Sequence, residues 1–357
     1  MNGEALTSPA RNADFGDDAL PPLIYAYGMS LRKLRILRAF VAPIQVSYLR
    51  GITSLPSKSI LLVWGSKNLT ARGDVSVVRV EDGFIRSIGL GADLIWPISW
   101  VFDQRGMYYD ARQESDLEHL LQNTQFDGDL LYRARQLRKK IVAHGLSKYN
   151  LSAANWNRPP SIEKVVLVVG QVESDASIQC GSANIKTNLD LLKAVRLANP
   201  KAYIVYKSHP DVVAGLRASD QHREQLNHYY DEGIEHVSIQ SVLDNVDAVY
   251  VITSLTGFEA LIRHIPVFCY GHPFYAGWGL TSDLAPPIPR RSRVLTLDEL
   301  VAASLILYPR YMSLSSRKPL SVEQALDELI TLRNQQLPTP WWRKLLRTVL
   351  QQFGKNR

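Results

Sequence analysis

Glu173 and Asp175 lie two residues apart in the stretch 170–178, Gly-Gln-Val-Glu-Ser-Asp-Ala-Ser-Ile. Paired carboxylates in an extended loop suit a nucleophile and a general base beside an oxocarbenium-like centre, with two solvated loop acids as the plain alternative. Lys207, Ser208, His209 and Pro210 come after an apolar run. A cation and an imidazole together fit a clamp on a phosphate leaving group. Thr253, Ser254, Thr256 and Gly257 open an apolar helical pattern with Glu259 behind them. Hydroxyls and unpaired amides at a helix start favour an anion, although Ser254 or Thr256 equally serve as ordinary caps. Gln171 stands at one strand end, and Tyr270 and Gly271 at another. Tyr270 opens an aromatic and glycine run that includes Tyr275 and Trp278. Such a run suits stacking on a sugar or base, or a packed turn. In the first half, Glu81, Asp82 and Arg86 come after the run Val-Ser-Val-Val-Arg-Val.

These groups need strands to hold them. The patterning predicts strands over 22–28, 59–65 and 75–83, and a strand pair within 94–111 turning at Gln104–Gly106. It predicts helices over 30–43, 115–123 and 130–145, with Ser115 and Glu118 as a capping box. After a polar, proline-bearing seam at 150–162 the alternation restarts. Strands are predicted over 165–170, 202–210, 248–254 and 266–271, and helices over 188–200, 238–246, 255–265, 295–311 and 321–336. Strand–helix alternation in both halves predicts two α/β domains with parallel sheets, whose ligands bind beyond the carboxyl ends of the strands. The expected division is a mobile segment 1–20, domains over 21–155 and 156–336, and a basic amphipathic tail over 337–357.

Composition narrows the function classes. Hydrophobic residues make up 46% of the 357, which excludes disorder as the main state. No apolar run reaches the ~20 residues that span a bilayer, and the polar N-terminus has no secretory h-region, so a cytoplasmic protein is expected. Two cysteines make no disulfide framework and no zinc spacing. The net charge of +7 calls for an anionic partner. Five of those charges, Arg343, Lys344, Arg347, Lys355 and Arg357, lie in the acid-free stretch 341–357 beside Trp341 and Trp342. That mixture suits an anionic membrane surface, or a helix packed on the first domain. No Walker or dinucleotide fingerprint and no nucleic-acid recognition motif is present, so a nucleic-acid partner is not expected.

Longer strings carry a resemblance. Residues 64–67 (WGSK), 80–94 (VEDGFIRSIGLGADL), 106–118 (GMYYDARQESDLE), 146–151 (LSKYNL), 170–178, 188–212 and 253–281 resemble the β-Kdo glycosyltransferases of bacterial capsule polysaccharide biosynthesis, the KpsC type. The likeness runs over roughly 25–336, as a single module most like the second of the two tandem modules. It implies an α/β, GT-B-like fold: two Rossmann-like domains with a cleft between them. It also implies transfer of Kdo, a sugar acid, from CMP-Kdo with retention, through a double displacement and with a β-(2→7) linkage.

Carried over by residue, Asp175 is the nucleophile, with His209 and Glu173 beside it in catalysis. The CMP-sugar site takes Gln171, Lys207, Pro210, Thr253, Ser254, Thr256, Gly257, Glu259, Tyr270 and Gly271, with Glu259 on the ribose. Glu81, Asp82, Arg86, Tyr275 and Trp278 face the acceptor or sugar. Ser208 stands where the family usually has Pro. The expected partners are CMP-Kdo, a lipid-linked oligosaccharide acceptor, the inner-membrane surface from its cytoplasmic side, and capsule assembly proteins. No cofactor or metal is expected. The competing readings are transfer of another CMP-activated ulosonic acid, as in sialyltransferases, and a non-catalytic partner module.

Overall fold

The computed structural model describes residues 23–52, 55–67, 69, 74–89, 95–150, 154–213 and 223–335. The expected segment 1–20 and tail 337–357 lie outside them.

In chain order the first half runs β1 (Leu23–Tyr27), α1 (Leu31–Phe40), β2 (Gln45–Leu49), β3 (Ile60–Trp64), β4 (Ser76–Asp82), β5 (Ser99–Asp103), α2 (Asp116–Asn123) and α3 (Gly128–Ala143). Then come β6 (Val165–Val169), α4 (Ala176–Gly181), α5 (Asn188–Ala198), β7 (Tyr203–Lys207), α6 (Pro210–Val213), α7 (Arg223–Leu226), β8 (Glu232–Ile234), α8 (Ile239–Leu243), β9 (Ala248–Val251), α9 (Leu255–Leu261), β10 (Val267–Cys269) and β11 (Ser282–Asp283). The last elements are α10 (Leu297–Val301), a π-helical turn over Ala302–Leu307, β12 (Pro309–Met312), β13 (Pro319–Leu320) and α11 (Val322–Asn334).

The second sheet has the order β11-β10-β9-β6-β7-β8, all parallel. Counted from β6, this is the Rossmann order, and its direction of growth reverses between β6 and β9. Strand β6, Val-Val-Leu-Val-Val, is buried along its whole length, as a central parallel strand requires. The first sheet has the order β13-β12-β5-β4-β3-β1-β2. Its parallel part reverses between β1 and β3, a second switch point. Residues of both sheets share one hydrophobic cluster: Val101, Leu117 and Ile141 pack in the same core as Val165, Val249 and Leu326.

The first sheet is mixed, not parallel throughout. β5 runs antiparallel to β4 and β12, and β12 antiparallel to β13. Strands from 309–320 therefore complete the first sheet, although they come after the whole second sheet in sequence. A division at 155/156 does not describe this crossing. Helix 295–311 ends early as well. Pro309 has no N–H to donate, and Tyr308 N bonds back to Ala303 O in a π-type closure, so the chain leaves as β12. Edge strand β2, with Gln45 and Tyr48 exposed, has no counterpart among the expected strands.

The expected strand pair within 94–111 reduces to β5 alone. The buried Asp103 carboxylate accepts Gly106 N at 2.8 Å, Asp116 N at 3.0 Å and Tyr308 OH at 2.7 Å, which turns the chain away from the sheet. Thr296–Glu299 and Ser321–Gln324 form capping boxes. Ser115 caps α2 through Glu118 N, but the Glu118 side chain points to Arg290 and Arg291 instead of closing a box. Asp103→Ala leaves several buried donors unsatisfied and should lower stability by about 3 kcal/mol. Chemical denaturation of the two proteins measures the loss, and a change below about 1 kcal/mol would count against this account of the turn.

Candidate functional site at the two switch points

Strands β6 and β9 end side by side, and Gln171 bridges the two loops beyond them. Its side-chain amide donates to Thr253 Oγ1 at 3.1 Å and accepts Thr253 N at 2.9 Å. Its backbone is paired on both sides with the Asn188 amide, each bond 2.9 Å. Asp175 begins α4 and accepts Ser177 N at 2.9 Å. Helix α4 rests on the same junction. A side chain on Gly271 would stand 2.8 Å from Gly181 O and 2.9 Å from Thr253 Cγ2, so only glycine permits this approach. Ser254 caps α9 by accepting Thr256 N at 3.3 Å; the hydroxyl motif and the ordinary cap are thus one residue.

Lys207 closes β7, and burial holds its ammonium below the usual lysine range. His209 Nδ1 accepts Asp211 N at 3.1 Å, so the neutral ring carries its proton on Nε2. Pro210 starts α6, where its missing N–H is of no consequence.

The facing group stands at the first switch point. Lys67 Nζ donates to Gly28 O at 3.0 Å, joining the ends of β1 and β3. Gly28 sits at φ +70 with Lys67 packed over it. Lys33, on α1, lies 3.4 Å over the Trp64 ring, and its pKa is lowered chiefly by burial. At the end of β4, burial and then the neighbouring Asp82 carboxylate push the Glu81 carboxyl up to about 7. Tyr109 bonds Ser66, and its hydroxyl and Glu81 Oε2 border the same spot beside Gly65. Its pKa is raised by burial first, then by Glu81, with Asp175 adding to it. Tyr109 thus answers to carboxylates of both sheets. Burial opposes the charge on Lys148, but Tyr149, Asp82 and Glu81 outweigh it and raise its pKa.

Sequence reasoning assigns no role to Lys33, Lys67, Tyr109 or Lys148. Lys67, Tyr109 and Lys148 lie inside family-like strings; Lys33 becomes a neighbour of Glu81 only through the strand order.

Several expected residues do other work. Tyr275 and Trp278 are wholly buried and offer no stacking surface. The Tyr275 hydroxyl donates to Ser254 O, and Trp278 Nε1 donates to Phe274 O at 2.8 Å. The aromatic and glycine run is a packed turn because its rings gain more from burial than from display. Glu259 is the fifth residue of α9, beyond its first turn. Its buried carboxylate, raised by burial, accepts Lys148 N at 3.0 Å and ties the two halves together. Glu173 accepts Asn188 N at 2.7 Å and steadies the start of α5. Asp82 and Arg86 pair at 2.6 Å, with Trp100 Nε1 closing on Asp82 at 3.0 Å. This arrangement supports the sheet end. Tyr270 is half-buried against the core of the second sheet. Among the described residues, no three His, Cys, Asp or Glu side chains gather as a metal ion would need.

Residues 65–311 match the family model described as capsule polysaccharide biosynthesis protein. The chain is 41% identical over 332 residues to the capsule polysaccharide modification protein LipA of Neisseria meningitidis, covering 90% of this chain and 47% of that protein. It therefore spans about half the length of these curated relatives. It is 39% identical to the lipopolysaccharide-processing protein LpsZ of Rhizobium meliloti, covering 88% of this chain and 75% of that one. Two solved structures from Thermosulfurimonas dismutans are similar. The KpsC β-Kdo 2,7 transferase has a TM-score of 0.75 and 42% identity, with 87% of this chain and 99% of that chain covered. The KpsC β-Kdo 2,4 transferase has a TM-score of 0.76 and 33% identity, with 86% and 98% covered. The fold is accordingly the α/β, two-Rossmann arrangement of these glycosyltransferases.

The raised pKa of Glu81 has a measurable sign. The folded protein holds this proton more tightly than the unfolded chain, whose carboxyl titrates near 4.5. The contribution is complete below about pH 4.5 and is lost as pH rises through about 7. Glu81→Gln removes the loss. Relative to wild type, its stability should rise by about 2 kcal/mol between pH 5 and pH 8, as measured by denaturant unfolding. Parallel pH profiles would contradict the assignment.

Proposed function

The chain belongs to the capsule polysaccharide biosynthesis family, and from that membership we propose that it transfers Kdo from CMP-Kdo to a sugar hydroxyl of a lipid-linked acceptor. The observation that carries this reading is the likeness to the KpsC β-Kdo 2,7 transferase at 42% identity, covering nearly all of that chain. The same likeness favours a β-(2→7) linkage.

In this scheme the donor lies across the β6/β9 switch point. Lys207, His209 and the hydroxyls of Thr253, Ser254 and Thr256 receive the phosphate. His209 Nε2–H and the Lys207 ammonium stabilise the charge that develops on CMP as the glycosidic C–O bond breaks. An Asp175 oxygen takes the anomeric carbon, giving a glycosyl ester with inverted configuration. The acceptor hydroxyl then attacks that carbon, Asp175 leaves, and the second inversion restores the original configuration. Glu81, poised near neutrality, takes the hydroxyl proton. Lys33, Lys67 and Lys148 give this side the positive field that an acidic sugar acceptor needs. No metal enters the scheme.

Asp175→Ala should reduce Kdo transfer by about a thousandfold or more while the protein remains folded. Product formation with CMP-Kdo and a synthetic Kdo-terminated acceptor measures it, and NMR of the wild-type product reads linkage and anomeric configuration. Wild-type rates in the variant would sink the nucleophile assignment.

The proposed setting is the cytoplasmic face of the inner membrane, near capsule assembly proteins. The support is the cationic, tryptophan-bearing stretch 341–357. Truncation before Trp341 should abolish flotation with anionic vesicles at low salt; unchanged flotation would refute a membrane role for the tail.

A further inference from the structure

The composition of the run 270–281 suits a sugar platform, yet Phe274, Tyr275 and Trp278 are buried. Its contacts lead elsewhere. His272 N donates to Gly181 O at 2.7 Å, so the loop holds the far end of α4, the helix that begins at Asp175. Three residues on, the Tyr275 hydroxyl donates to Ser254 O at the cap of α9, and its ring fills the space that a side chain at Gly257 would need. One short loop therefore touches both the helix of the proposed nucleophile and the helix start of the proposed phosphate site.

The loop is itself clamped. Arg291 Nη1 donates to Pro273 O at 2.7 Å and to Ala276 O at 2.8 Å, a fork across the turn. Arg291 is 8% exposed, and its aliphatic part packs on Gly277, which sits at φ +86. Its remaining charge is met by Glu118 of α2, at 3.1 Å from Nε. Glu118 also receives Arg290 Nε at 2.7 Å, and Arg290 reaches Ala111 O at 2.8 Å. The anchor of the clamp thus lies on the helix after β5 of the first sheet, while the clamped loop serves the second.

Resting on the proposed transferase reading, we infer that Glu118, Arg291 and Tyr275 form a positioning relay that sets Asp175 and the Ser254 site at their working separation. All three are buried, so their part is to position, not to bind. Arginine is needed because only its planar fork reaches two carbonyls and a carboxylate at once. A nucleophile and a leaving group must be aligned within a fraction of an ångström for in-line displacement, so slack in the loop appears as lost turnover.

The test uses Tyr275→Phe, Arg291→Lys and the double variant in the full chain, with two readouts. Hydrogen exchange of segments 176–181 and 254–261 needs no ligand. Both single variants should speed exchange in both segments, although Arg291 touches neither. In CMP-Kdo transfer, each should lower kcat about tenfold with KM within about threefold. The double variant should lose little more than the worse single, because members of one relay are not additive. Unchanged exchange, or losses that multiply, would overturn the relay. If Arg291→Lys does not fold, Tyr275→Phe removes a single oxygen and decides alone. If the wild type transfers no Kdo, the functional reading fails and exchange alone judges the relay. If it does transfer Kdo while both variants exchange and turn over as wild type does, only the relay fails.

Discussion

The site depends on one aromatic contact. Phe84 lies just past the end of β4, and Phe274 lies in the loop after β10; their rings stack with centroids 4.4 Å apart. Tyr108 meets Phe84 edge-on at 4.8 Å, and Tyr308 joins from the end of the π-helical turn at 6.3 Å. A cluster of this kind buries much apolar area and constrains ring angles as well as distance. It joins the chain after β4 to the loop after β10. Glu81 lies three residues before one ring, and Tyr275 one residue after the other. The separation of Glu81 of the first sheet from the loop after β10 is therefore held in part by packed carbon, beside the polar ties of Glu259 to Lys148 N and of Arg291 to Glu118.

Charge is then distributed by topology. In each sheet the reversal of strand order opens a crevice, and each crevice has a polar bridge across its mouth: Gln171 to Thr253 in one, Lys67 to Gly28 in the other. The first collects groups suited to a phosphate. The second collects Lys33 and Lys148 around Glu81 and Asp82, with the Glu81 carboxyl raised to about 7. The two strand-order reversals thus carry different chemistry, hydroxyls and a histidine at one and lysines with carboxylates at the other.

Much of this is legible in the chain itself. The strand-end positions of Asp175, Lys207, His209 and Ser254 are legible because each comes after an apolar run, and strand ends are where such sheets bind ligands. The aromatic run is legible in composition but not in direction, since rings packed inward and rings displayed outward have the same sequence. Glu118 illustrates a local rule overruled by tertiary charge: its spacing from Ser115 fits a capping box, but two arginines about 170 residues away hold it more strongly. Pro309 does signal the end of its helix, against an expectation that carries the helix on to 311. Lys33 cannot be placed from sequence, because only the strand order makes it a neighbour of Glu81.

The return of β12 and β13 to the first sheet has a consequence for synthesis. Until residues 309–320 leave the ribosome, β5 has no partner on its outer side, and a strand of Ser-Trp-Val-Phe-Asp stands with unpaired amides and carbonyls. The second sheet, contiguous in sequence, can close first. The half that is translated earlier therefore finishes later, and the nascent chain carries an adhesive edge throughout the making of its own second half.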